Sequence, residues 1–156
     1  MVSIKRRAFL KGSITTGVLS VAIGAGLLKP NVVLAAWPED AFSKKSLADA
    51  LAALGASGAA ESGDIKIKAP DIAENGAVVP ITVSTSISGV EKISVMVEKN
   101  PQPLAANFEL SSKCEGFIST RIKMGKTSDV IAVVQAGGKT FTAKKTVKVT
   151  IGGCGG

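Results

Sequence analysis

Few residues of this chain could do chemistry. It has no His and two Cys among its 156 residues, which makes sulfur the one strong nucleophile on offer. Cys154 lies in the run Gly152-Gly153-Cys154-Gly155-Gly156. A thiol between two glycine pairs has no evident structural purpose, because glycine lacks a Cβ, takes φ of either sign and loses much backbone entropy when fixed. The run predicts a flexible arm bearing a reactive group. Three extended steps from Ile151 carry the sulfur roughly 10 Å outward, plus the length of its own side chain. That is enough to enter a pocket of another protein.

The thiol has no activating neighbour in the sequence. A Cys that does chemistry unaided has its pKa lowered by His, Lys or Arg, or by a helix N-terminus. The nearest cationic side chain here is Lys148. These residues fit a covalent carrier whose partners supply the activation, and they fit a self-sufficient enzyme poorly. Lys144, Lys145 and Lys148 precede the arm and could steer anions or acidic partner surfaces toward Cys154, although a solvated face is the plainer account of them. No metal motif is present, since two well separated Cys without His make a zinc or haem site hard to build. Cys114 reads as a small, partly buried residue at a strand end. The alternatives are a Cys114–Cys154 disulfide, which the glycines oppose, and a reactive or dimer-forming role.

The elements that must present the arm follow from patterning. Residues 1–35 carry Lys5-Arg6-Arg7-Ala8-Phe9-Leu10-Lys11, then an uncharged stretch to Leu28. This reads as a twin-arginine-type signal peptide, its uncharged run too short for a membrane anchor and ended by Lys29-Pro30, with cleavage sites at Ala35 and Ala36. The net charge of +7 for the whole chain owes much to five cationic residues in this segment. The remainder holds 14 Lys or Arg against 12 acids. A balance near +2 gives nucleic-acid binding no support.

Residues 36–63 are expected to form a helix and a linker. Leu47, Ala50, Leu51 and Leu54 make one apolar stripe over 40–54, Ser43 could cap its start, Gly55 should stop it, and Trp37 and Phe42 could pin it to what it covers. From 64 to 151 the pattern changes to short alternating strands at 65–69, 78–84, 93–98, 105–110, 117–123, 130–135 and 139–151. Turn residues separate them, at Asn75-Gly76 and Asn100-Pro101 among others, with a hairpin signal at Gly137-Gly138. Val130 to Val134 is apolar on both faces and is expected to be a central or covered strand. The fold class is therefore all-β: an immunoglobulin-like antiparallel β-sandwich with an N-terminal helix packed outside it and a flexible arm over 152–156.

Four stretches together resemble the SoxY family, the Y subunit of the SoxYZ sulfur carrier. They are the signal; Glu74-Asn75-Gly76 leading to Val79-Pro80-Ile81-Thr82-Val83; Val97-Glu98-Lys99-Asn100-Pro101 followed by Pro103; and Val147-Lys148-Val149-Thr150 running into Gly-Gly-Cys-Gly-Gly. The resemblance implies a periplasmic protein of thiosulfate oxidation with no cofactor beyond sulfur held covalently on Cys154. It implies a SoxZ-like subunit as heterodimer partner, a c-type haem enzyme that joins thiosulfate oxidatively to the thiol, a manganese-dependent hydrolase that releases sulfate, and a sulfane dehydrogenase as a further visitor. Cys154 matches the carrier thiol, and Gly152, Gly153, Gly155 and Gly156 match the arm. Cys114 matches nothing in that pattern. Two other readings stand beside it: an exported structural sandwich crosslinked through its terminal Cys, and a ubiquitin-like carrier loaded as a C-terminal thiocarboxylate, which export and the strand-rich pattern oppose.

Overall fold

The computed structural model describes residues 38–150. The signal segment, Trp37 and the arm with Cys154 lie outside the described residues. All seven expected strands form. They are β2 (Ile65–Lys68), β4 (Val79–Thr85), β5 (Val90–Val97), β6 (Leu104–Glu109), β7 (Phe117–Ile122), β8 (Ser128–Ala136) and β9 (Lys139–Val149). Two strands of two residues each were beyond the reach of periodicity: β1 (Ala60–Glu61) and β3 (Ile72–Ala73). The small sheet runs β2-β4-β7 and the large one β1-β9-β8-β5-β6, with β3 also on β9. The chain crosses repeatedly between the two sheets, with β5–β6 and β8–β9 as neighbours within the large one, in the manner of an immunoglobulin-like sandwich. Pairing is antiparallel except that β1 and β3 both run parallel to β9, a departure from the purely antiparallel expectation.

The period of two explains the core. From the small sheet Ile65, Val79, Ile81, Val83, Ile118 and Ile122 face inward, and from the large one Ile93, Val95, Val97, Val130, Ala132, Val134 and Val147 meet them. Alternation puts Met96, Ile131 and Val133 on the other face of the large sheet, where water would meet them in a bare sandwich. A second cluster covers them, made with Ala41, Ala50, Ala56 and Leu104, against which Phe42, Leu47, Leu51 and Leu54 pack. The double-sided apolarity of β8 thus comes from its position in mid-sheet beneath a helical layer. That layer is two pieces, α1 (Glu39–Ser43) and α2 (Leu47–Ala53), where the stripe alone predicts one helix.

The break falls at Lys44, whose backbone is extended. Ser46, not Ser43, is the cap: its hydroxyl accepts from the Asp49 amide at 3.1 Å, and Ser43 instead donates to the Asp40 carbonyl. A helix N-terminus leaves amides that a Ser side chain satisfies well, and Ser46 lies one residue before the stripe begins. At the other end Gly55 has φ +67°. Its amide bonds the Ala52 carbonyl and the Ala56 amide bonds that of Leu51, the paired closure that a left-handed glycine permits. Gln135 of β8 donates to the Leu54 carbonyl at 2.6 Å and ties the helix end to the sheet.

The β8–β9 hairpin turns on Gly137 and Gly138, both at positive φ, which matches the twist of the strands they join. No helix of the described residues is long and apolar enough to cross a membrane.

Gly76 is the tightest glycine among the described residues. A Cβ there would overlap the Met124 carbonyl oxygen and lie 2.8 Å from Val149 Cγ1. Gly76→Ala is expected to destabilise the domain by about 1–3 kcal/mol, as overpacking does. Gly125→Ala, whose Cβ would meet only the Asn100 side chain at 3.9 Å, is expected to stay within about 0.5 kcal/mol of the parent. Urea unfolding of both variants measures the contrast.

Candidate functional site at the root of the arm

The sequence before the arm is the end of β9, and three segments hold it. The antiparallel ladder with β8 has its last pair at Ser128 and Val147. Beyond it the Val149 amide donates to Thr127 Oγ1 at 3.0 Å, and the same hydroxyl lies 3.4 Å from the Val149 carbonyl. On the opposite edge β3 takes over, with Lys148 N donating to the Asp71 carbonyl at 3.0 Å and Thr150 N to that of Ala73 at 3.1 Å. Val149 packs beside Gly76, and the Met124 amide bonds the Gly76 carbonyl at 2.7 Å. The strand is therefore fixed on both edges up to Thr150, four residues before Cys154.

Three loops meet at this end. Asn100, in the turn after β5, donates from Nδ2 to the Lys123 carbonyl at 2.8 Å and accepts from the Gly125 amide at 3.1 Å. It joins the β5–β6 and β7–β8 connections next to the arm root. A shallow cavity of about 340 Å³ lies there, lined by Asn100, Pro101, Gln102, Lys123 and Gly125.

The three lysines singled out from the sequence have different fates. Lys145 lies on the inward-facing side of β9, and its long stem lets the ammonium reach the sandwich edge. There it donates to the Ala69 carbonyl at 2.7 Å and pairs with Asp71 at 3.0 Å. It holds the segment leading into β3. Lys144 points outward and pairs with Glu61 of β1 at 3.3 Å. Lys148 is exposed on the outer face and stands opposite Ile72 in the parallel register. Ile72 is 57% exposed, unusual for so large an apolar side chain.

Cys114 is an exposed free thiol, not the partly buried strand-end residue expected, because β6 stops at Glu109 and leaves it in an open connection. It sits in the β6–β7 connection, its amide bonded to the Ser111 carbonyl. The register puts it far from the arm root: β7 runs from Phe117, opposite Ser84, to Ile122, opposite Val79. Cys114 precedes the first end, and Gly76 and Val149 adjoin the second. The strand between them is about 17 Å long. Four extended residues reach about 14 Å, and a disulfide needs Cα atoms within about 7 Å. An internal Cys114–Cys154 bond would demand a tail pulled nearly straight along the sandwich.

Sequence reasoning missed Thr127, Asp71 and Ala73. Asn75-Gly76 was legible as a turn, but not its contact with Val149. Pairing through one hydroxyl and a two-residue parallel strand leaves no periodic trace.

A family model described as sulfur oxidation protein SoxY matches residues 50–154. The structure of the sulfur carrier protein SoxY from Chlorobium limicola f. thiosulfatophilum is 48% identical, with a TM-score of 0.60 over 66% of this chain and 94% of that one. A superoxide reductase, neelaredoxin, from Ignicoccus hospitalis aligns at 16% identity and a TM-score of 0.50 over 55% of this chain and 80% of that one, a likeness of fold alone. The comparison with curated proteins gives no match.

The two paired lysines separate structural from surface charge. Lys145→Ala strips the Ala69 carbonyl of its donor and is expected to cost about 1–2 kcal/mol in urea unfolding. Lys144→Ala breaks a pair whose side chains are 62% and 69% exposed and is expected to change stability by less than about 0.5 kcal/mol.

Proposed function

The chain belongs to the SoxY family of sulfur oxidation proteins, and we propose from this that it is a sulfur-substrate carrier that holds thiosulfate-derived intermediates covalently on Cys154. The observation that carries the reading is the junction between a strand hydrogen-bonded on both edges to Thr150 and the glycine-bracketed thiol four residues on. A rigid base followed by residues of great conformational freedom presents one sulfur to several active sites in turn.

The chemistry asked of this chain is small. Loading joins thiosulfate to the thiol as a Cys-S-thiosulfonate; the S–H bond is lost as a proton and two electrons pass to a haem-bearing partner. Hydrolysis at the sulfonate sulfur releases sulfate and leaves a persulfide on Cys154, which a manganese-dependent partner would catalyse. The chain itself supplies the thiol, its reach and a base for docking. Export by a twin-arginine-type signal puts this cycle in the periplasm together with a SoxZ-like subunit. Gly152, Gly153, Gly155 and Gly156 serve as the joints of the arm. Lys148, exposed at its root, is the lysine best placed to draw in anions, since Lys144 and Lys145 are engaged in ion pairs.

Two measurements test this. Intact mass on protein from the periplasm of thiosulfate-fed cells, with and without reductant, is expected to show a reductant-labile thiosulfonate or sulfur adduct. The adduct should be lost in Cys154→Ser and kept in Cys114→Ser. An arm that is never modified, or a fixed bond to another chain that no sulfur donor displaces, favours the crosslinked structural domain instead. If Lys148 steers, Lys148→Gln should slow enzymatic loading a few-fold at low ionic strength and leave it unchanged near 1 M salt, where the screening length is about 3 Å.

A further inference from the structure

We infer that Thr127 is a positioning residue for the arm: its hydroxyl completes the hydrogen bonding of β9 where main-chain pairing with β8 has ended, and so fixes the residue at which motion of the arm begins. The inference rests on the carrier reading for its purpose and on hydrogen bonds of the described residues for its geometry. Along a strand, successive amides point to opposite edges. Lys148 and Thr150 donate to the carbonyls of Asp71 and Ala73 on the β3 side. Val149 must look the other way, where β8 begins only at Ser128 and its last pair is with Val147. Thr127 Oγ1 stands in for the missing rung, 3.0 Å from the Val149 nitrogen and 3.4 Å from its oxygen.

Without that hydroxyl the last residues of β9 are held on one edge only. A two-residue parallel strand is a weak clasp by itself, and Ile72, half of it, is 57% exposed. The strand end would then detach from Lys148 onward. Counted from the last hydrogen-bonded residue among the described ones, the tether of the carrier reading would grow from four residues to seven. For a flexible chain the mean end-to-end distance rises with the square root of its length, so the reach grows by about a third and the swept volume roughly doubles. The effective concentration of the thiol at a docked active site falls by about the same factor. A fixed origin thus favours delivery over reach.

The test uses the full mature chain carrying Cys114→Ser and Lys66→Cys, with spin labels on Cys154 and on the introduced thiol, which lies on the exposed face of β2. Pulsed dipolar spectroscopy gives the distance distribution, and amide exchange reports on Val149. Thr127→Val is expected to widen the distribution by about a third and to speed exchange at Val149 about fivefold to tenfold, the effect of one hydrogen bond. Thr127→Ser should restore both. Thr146→Val is the control, because it removes a hydroxyl from the same strand that bonds Asp129 and not the arm root, and it should move neither readout. A Thr127→Val chain indistinguishable from the Thr146→Val control, or a Thr127→Ser chain that fails to rescue, overturns the inference. The outcome is separable from the carrier reading: a clamp that behaves as expected on a chain whose Cys154 never takes a sulfur adduct keeps the inference about the pivot and removes the reading of its purpose.

Discussion

An outermost strand must find partners for a full row of backbone N–H and C=O groups, or offer them to another chain. In this domain β9 faces that demand and also carries the arm. It is met piecemeal: β1 pairs at Phe141 and Thr142, and β3 at Lys148 and Val149. Between them the ammonium of Lys145 secures the Ala69 carbonyl and Asp71. Much else follows from this arrangement. The linker after α2 is drawn alongside the sheet, the 69–73 segment is held across its edge, and Gly76 must lack a side chain so that the next turn can close on Val149.

The helical layer answers a different demand. A sheet of this size with Met96, Ile131 and Val133 on its outer face would expose an apolar strip, and α1, α2 and the turn after α2 cover it with small residues, Ala41, Ala50 and Ala56, that allow close approach. Gln135 fastens the layer by bonding a carbonyl that the helix itself leaves unsatisfied. The cover lies over the middle of the large sheet. The end from which the arm departs is built instead from loops, where Asn100 joins two connections through both ends of its amide.

How much of this was legible in the sequence depended on repetition. Strands such as β5 and β9 announce themselves because every second residue repeats a burial choice, and the stripe of α2 does the same every third or fourth. The double apolarity of β8 correctly foretold a covered central strand. The division of the helix into two was less visible, since Ser43 and Ser46 are both good caps and only the extended backbone at Lys44 decides between them. Lys145 falls among the apolar residues on the inner side of β9, and its long side chain resolves the conflict by reaching carbonyl and carboxylate at the rim. The thiol and its glycines could be read from composition and spacing alone. What fixes the base beneath them is single contacts between segments remote in sequence, and no local pattern encodes those.

That remoteness bears on how the domain is made. The bonds along the outer edge of β9 join residues 76–82 positions apart, and β9 is the last strand among the described residues. Contacts of such separation form late, after the closure of long loops has been offset by other structure. The base of the arm is therefore assembled only on a chain whose earlier strands are already in register. An incompletely folded molecule would have the thiol but no defined place from which to offer it. Completion of the fold and definition of the point from which a carrier of this family would offer its thiol become one event.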